Sequence, residues 1–313
     1  MKNKKENKFD KLTIAVSSSA LFDLTESDKI FKNKGEIEYR KFQNKNLKKI
    51  LKPGIAFLFI RKILYLNEIF KNEIPEGVVE VVLLSKNDHE TGLRVFKSAE
   101  YYNLNISKAG FFSGESPSKY IKPFNASLFL SGDFNDVELT LKEGYAAGYV
   151  MGDKPDPKYW DESDNEFRIA FDFDGVLVDR ESEDVFNKKG IKKYKEYERN
   201  KSTKPHNPGP LSDFAKKISR LRELESDKIR KNKKYKRFIK IALITARSTP
   251  VHERVLNSIK NWGLSIDKSF FMGGFNKKEI LETMKPHIYF DDQEKNLENV
   301  QKVPLVFIPL IEN

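Results

Sequence analysis

Ten short apolar runs punctuate the chain. Five lie in its first half, Leu12 to Val16, Glu80 to Leu84, Ala109 to Phe112, Ser127 to Leu130 and Ala146 to Val150. Five more lie in the second, Arg168 to Phe171, Ile239 to Ile244, Ser269 to Met272, His287 to Phe290 and Leu305 to Ile308. Most are apolar at successive positions, which predicts strands covered on both faces, and the segments between them carry the spacing of amphipathic helices. The pattern therefore predicts an α/β chain built on doubly wound parallel sheet.

The two sets of runs repeat. At a shift of roughly 155 residues, Ile14-Ala15 meets Ile169-Ala170, Gly35 meets Gly190, Tyr39 meets Tyr194 and Pro53-Gly54 meets Pro208-Gly209. After about five extra residues in the first half, Arg94, Val95, Ser98, Phe111 and Gly114 meet identical residues at Arg254, Val255, Ser258, Phe271 and Gly274. One small insertion with the order kept points to duplication, with domains at 1–155 and 156–313 and a linker within Val150 to Phe167. Each copy carries a polar insertion after its first strand. In the second copy it spans about 180–237, and its lysines and prolines suit a cap better than a core.

Composition narrows the picture less than the pattern does. The chain has 313 residues, 39% of them hydrophobic, which is enough to bury a core. Without cysteine it has neither a disulfide framework nor a thiolate metal site, and a reducing cytoplasm is the simplest compartment. No apolar run approaches the ~18 residues of a membrane span, and the basic N-terminus reads as a polar tail entering the first strand. The net charge of +11 is spread among Asn and Glu rather than gathered into a stripe, so no nucleic-acid partner is expected. A homo-oligomer is left open.

Candidate chemistry gathers in the second half. In Asp172-Phe173-Asp174-Gly175 the two acids stand two apart at the end of a strand, so both can project from one edge of the sheet, where open α/β sheets bind ligands. Gly175 permits the turn and brings backbone N–H groups near a bound anion of the substrate. A carboxylate is ionised at neutral pH and can attack phosphorus without a base, provided that a hard cation such as magnesium offsets the repulsion. Thr245 ends another strand, and its hydroxyl, with the following N–H of Ala246, can hold a phosphate oxygen. Lys277 follows a glycine turn and can neutralise charge on the transferring group. Asp291 and Asp292 end a further strand and would complete a magnesium site. Arg247 can reach a substrate or lie on the surface, and both readings stand. Asp, Asp, Thr, Lys and Asp-Asp in this order indicate phosphoryl transfer.

The same residues resemble the haloacid-dehalogenase superfamily of phosphohydrolases and, in detail, the cytosolic 5'-nucleotidase type I family. The resemblance rests on "AVSSSALFDL", "IAFDFDGVLVDRESE", "LITARSTPVHERVLNSIKNWGLSID", "FFMGGFNKKEILETMKPHIYFDDQ" and "NPGPLSDF", and it covers nearly the whole chain. It implies a magnesium-dependent hydrolase of nucleoside 5'-monophosphates. Asp172 would be the nucleophile, Asp174 the acid and base for the leaving ribose oxygen and then for water, and Thr245 and Lys277 the phosphoryl holders. Asp172, the backbone carbonyl of Asp174, and Asp291 would bind the metal. Members often carry Gly-Asp-Ala-Val where this chain has Phe173-Asp174-Gly175-Val176, a departure that keeps the acids and bears on substrate breadth.

In the first copy Ser17 stands opposite Asp172, Ser19 opposite Asp174, Ser85 opposite Thr245 and Ser131-Gly132 opposite Asp291-Asp292. Every carboxylate of the site has become a neutral group, so this copy is expected to be catalytically silent. Whether its sheet edge still holds a ligand is open. His252 reads as a solvated or capping residue, Ser116-Pro117 as a helix start, and Trp262, Phe270 and Phe271 as core. Tyr194 and Tyr197 either stack on a base or fill a helix face.

Overall fold

A computed structural model describes residues 9–152, 164–248 and 251–311. All ten apolar runs are strands, within a residue or so of their expected bounds: β1 (Leu12–Val16), β2 (Val79–Ser85), β3 (Lys108–Phe111), β4 (Leu128–Ser131), β5 (Ala147–Met151), β6 (Phe167–Phe171), β7 (Ile239–Thr245), β8 (Lys268–Phe271), β9 (Ile288–Asp291) and β10 (Leu305–Phe307). Much of the expected linker, 153–163, and the start of the polar tail lie outside the described residues.

The strands form one sheet in the order β3-β2-β1-β4-β5-β10-β9-β6-β7-β8. This differs from two separate parallel sheets. Each half is parallel within itself, but β5 and β10 pair antiparallel, with Val306 opposite Val150. That seam covers two strand edges that would otherwise be left unpaired. It also reverses direction, so the carboxyl ends of the two sets of parallel strands face opposite edges of the sheet.

Side chains alternate across this sheet, as strand geometry requires. Ile14, Val16, Val81, Leu83, Ile169, Phe171, Ile241 and Leu243 enter one long core that runs through both halves. On the opposite face each half has its own smaller core, around Phe129 in the first and Tyr289 in the second. The long core is shared because two helices cross the seam. Helix Phe57–Leu64 rests on β2 and on β6, and helix Ser212–Lys231 rests on β7 and on β1. Phe59 meets Phe167 of the other half at 5.7 Å between ring centroids.

The expected cap at 180–237 accordingly divides. Phe214, Ile218 and Leu221, spaced for one helix face, are fully buried in the long core, each contributing about 1.5–3 kcal/mol by its removal from water. Only the earlier part covers the strand ends. Segment Glu181–Asn200 is two helices folded back at Gly190, whose φ of 73° and ψ of 174° suit glycine alone. The reversal lets Ser182 Oγ donate to Glu198 Oε1 at 2.7 Å, although a straight helix would hold residues 16 apart about 24 Å from each other. Gly35 (φ 76°) reverses Thr25–Lys45 in the same way.

Hydrogen bonds repeat at the shift seen in the sequence. Arg94 Nη1 donates to Gln43 and its Nε to the carbonyl of Lys49; Arg254 Nη1 donates to Glu198 and its Nε to the carbonyl of Lys204. Ser98 and Ser258 each donate to the carbonyl four residues back and accept from the backbone of Leu51 and His206.

Candidate active site

Strand β6 delivers Asp172, whose backbone N–H continues the ladder to Phe290 at 2.8 Å before the chain turns at Gly175. The turn needs glycine twice over. Its φ is 71°, and a Cβ there would lie 2.1 Å from Asp292 Oδ2. Phe173 between the acids is buried, its ring edge-on to His206 at 5.1 Å.

The two acids of this turn take different partners. Asp172 joins Asp291 and Asp292 from the end of β9, and one carboxylate oxygen from each lies within 4.8 Å of the others. Lys277 sits behind them, hydrogen-bonded to Asp291 Oδ2 at 2.8 Å and to the Tyr289 hydroxyl at 3.0 Å and ion-paired with Asp172 Oδ1 at 2.9 Å. It therefore touches the candidate nucleophile rather than projecting into the cavity. Asp174 turns its carboxylate away from this group. Arg247 grips it in a fork, Nε to Oδ2 at 2.8 Å and Nη2 to Oδ1 at 2.7 Å. Of the four acids expected at a metal, three converge and the side chain of Asp174 stands apart.

The converging acids fit a hard cation. Asp291 already accepts from Lys277, Tyr289, the backbone of Gln293 and Asn296, whereas both oxygens of Asp292 are buried with no hydrogen-bond partner. Burial pushes the Asp292 carboxyl up to about 8, with the charges of Asp172 and Asp291 adding to it. Burial likewise raises Asp172 to about 7, with Lys277 opposing and Asp291 and Asp174 adding. Burial works against the Lys277 ammonium, but Asp172 and Asp291 outweigh it and hold the group above its usual range. Two orphaned oxygens beside another buried acid are stabilised either by protons or by a divalent ion.

These shifts set a pH dependence. A carboxyl whose pKa is raised on folding keeps its proton where the unfolded chain has lost it, so the cation-free protein loses stability as pH rises from about 4 to about 8. A bound cation reverses the loss. Thermal unfolding of chelator-treated protein should show a lower midpoint near pH 8 than near pH 5, with magnesium raising it more at the higher pH. Equal stabilisation at both values would contradict the assignment.

Asp172, Asp174, Thr245, Ala246 and Arg247 line a cavity of about 410 Å³. Its other wall is the folded-back helix pair, which contributes Glu183, Phe186, Asn187, Ile191 and Tyr194. Ala246 is exposed there, while Thr245 is buried and its hydroxyl accepts from the backbone of Arg247 at 3.2 Å. Tyr194 packs edge-on to Phe186 at 5.9 Å. Tyr197 instead pairs with Lys201 and does not line the cavity, which leaves Tyr194 as the tyrosine of its wall. His252 begins helix His252–Asn261, while Pro117 rather than Ser116 is the cap residue of the short 3-10 turn Ser118–Tyr120, with Ser116 Oγ accepting from the backbone of Ser118 at 3.4 Å. Trp262, Phe270 and Phe271 pack partly buried against the cores.

Sequence reasoning left Arg247 undecided and missed what holds it. Arg247 is buried, and besides Asp174 it donates to Glu198 Oε2 and to His206 Nε2, the latter at 3.0 Å. Because an arginine cannot accept, His206 Nε2 must be the acceptor, which places the ring proton on Nδ1, 2.8 Å from Ser258 Oγ. Glu198, fully buried, receives both Arg247 and Arg254. The signal was in the repeat. Asp174, Arg247 and Glu198 stand where the first half has Ser19, Asn87 and Gln43, while the arginine at 254 is kept at 94. Three charges are present together in one half and absent together in the other, linked through Arg247.

A family model described as 5'-nucleotidase matches residues 3–312. The chain is 32% identical over 295 residues to human "Cytosolic 5'-nucleotidase 1B". That match takes in 93% of this chain and 47% of the relative, so the chain spans about half the length of the curated relative. A solved structure titled "S. aureus MnaA-UDP co-structure" aligns with 90% of this chain and 74% of its own at 12% identity, and its TM-score of 0.19 carries no argument about the fold.

Proposed function

The chain belongs to the 5'-nucleotidase family, and from that footing we propose that it hydrolyses nucleoside 5'-monophosphates to nucleoside and phosphate. The observation that carries the reading is the buried trio Asp172, Asp291 and Asp292, three of whose oxygens lack a hydrogen-bond partner, with Asp172 opening onto a cavity. Asp172, Asp291 and Asp292 would hold magnesium, which when bound offsets the repulsion between carboxylate and phosphate.

The protein's own groups then do the chemistry. Asp172 attacks phosphorus, forming an aspartyl-phosphate as the bond to the ribose 5' oxygen breaks. Asp174, once its carboxylate leaves the Arg247 fork and takes up a proton from solvent, gives that proton to the departing oxygen and then takes one from the water that cleaves the aspartyl-phosphate. Thr245 and the N–H of Ala246 hold phosphoryl oxygens, and Lys277 orients Asp172 from behind. Phe186 and Tyr194 offer faces to the base. We read the halves, 1–155 and 156–313, as copies of one haloacid-dehalogenase-like unit, supported by matching strand order and hydrogen bonds, the first being silent. Among the described residues no helix is long and apolar enough to cross a membrane, and a cytoplasmic location is proposed from the relative's name.

Phosphate release from a panel of ribo- and deoxynucleoside monophosphates and sugar phosphates, with and without magnesium, tests this. Magnesium-dependent release with a preference for nucleotides is expected. Equal rates on sugar phosphates, or release unaffected by a chelator, would overturn it.

A further inference from the structure

The larger cavity, about 630 Å³, belongs to the first half, at the edge of the sheet opposite the candidate active site. Its lining repeats that site position by position. Phe31 and Tyr39 stand where Phe186 and Tyr194 stand, Asn87 for Arg247, Gly114 for Gly274, and Asp133 for Gln293. What differs is selective. The aromatic corner is kept, with Phe31 edge-on to Tyr39 at 5.6 Å as Phe186 is to Tyr194 at 5.9 Å. Both phenylalanines are left open to solvent, 51% and 44% exposed, an arrangement that core packing alone does not call for.

The acids that would hold a cation are gone, although Ser85 keeps the hydroxyl of Thr245 and accepts from the backbone of Asn87 at 3.2 Å. Ser17 and Ser19 bond each other at 3.0 Å, and Ser18 bonds Ser85 at 2.8 Å, in place of the acids and Thr245. Among the described residues the one group of three acids placed for a cation is in the other half. Lys86, at the strand ends, is neutralised between Asp133 at 2.8 Å and Asp136 at 3.0 Å. The lining as a whole holds five acids, Asp28, Glu36, Asp88, Asp133 and Asp136, against Lys32 and Lys86. Arg40 also pairs with Glu36 at 2.8 Å and Asp88 at 2.6 Å, so an anion entering here meets a modest excess of negative charge, five acids against three cations.

We propose that this cavity is a second binding site, for an uncharged nucleoside, with the base against Phe31 and Tyr39 and the sugar hydroxyls toward Ser17, Ser19 and Asp133. It rests on the reading above in one respect, that the matching corner at Phe186 and Tyr194 receives a nucleotide base. A silent half that keeps the base corner and rejects the phosphate selects the product of the other half over its substrate.

Calorimetric titration of the full-length Asp172→Asn protein tests this, using adenosine, uridine and AMP without magnesium as probes. With Phe186→Ala added to remove the other corner, adenosine or uridine should still bind, and Phe31→Ala should weaken that binding by about tenfold or more, the scale of a lost base stack. AMP should bind this site about tenfold more weakly than adenosine or worse. Phe31 is half exposed, so its removal leaves the cores intact. Nucleoside affinity unchanged by Phe31→Ala, AMP binding as tightly as adenosine, or no nucleoside binding would each overturn the proposal. Phosphate release by the wild-type protein separates the two readings: turnover of nucleotides without nucleoside binding rejects only the second site, and nucleoside binding without turnover rejects only the hydrolase.

Discussion

Asp172→Asn is expected to lower magnesium-dependent phosphate release by about 10³-fold or more, because an amide neither attacks phosphorus nor carries the charge that holds a cation. The fold should survive. Asp172 is buried against Asp291 and Asp292, so removing its charge relieves repulsion in the cation-free protein, and the melting midpoint of the variant should equal or exceed that of the wild type near pH 8. Loss of activity with an unchanged or higher midpoint separates chemistry from folding. Retention of more than about a tenth of the activity would remove Asp172 from the role of nucleophile.

The second large effect concerns the buried charges around Arg247. In Arg247→Asn, Glu198 keeps Arg254 but loses a second cation, and Asp174 loses the one ion pair it makes among the described residues. Breaking such a pair from one side costs about 3–5 kcal/mol, since the remaining carboxylate stays desolvated. Urea denaturation should show that loss. The first half supplies the remedy, for it fills the same positions with Ser19, Asn87 and Gln43 around a retained Arg94. The triple variant Asp174→Ser, Glu198→Gln, Arg247→Asn removes all three charges together and should recover most of the stability while remaining inactive. If the triple variant is less stable than Arg247→Asn alone, the three residues do not form a unit.

Both expectations depend on geometry that spacing suggested only in part. Asp172 and Asp174, two apart at a strand end, look like a pair of equivalent acids. The turn at Gly175 separates them, sending one to Lys277 and the other to Arg247. Lys277, legible as a cation near the phosphate, instead hydrogen-bonds Asp291 and Tyr289 and pairs with Asp172. Helix Ser212–Lys231 read as cap because its lysines dominate the local composition, although Phe214, Ile218 and Leu221 were spaced for burial all along.

Local sequence determined the ten strands, the acids at their ends and the repeat, because burial on both faces and a position at a strand terminus leave their mark on neighbouring residues. Tertiary structure alone decided that the halves join through an antiparallel seam, share a core and open their cavities on opposite edges. It also decided that Glu198 and His206 converge on Arg247 and that Arg254 meets the same Glu198. The physical reason is that pairing between β5 and β10, and contact among charges 40 to 70 residues apart, depend on the far partner, and no stretch of chain records which partner it will meet.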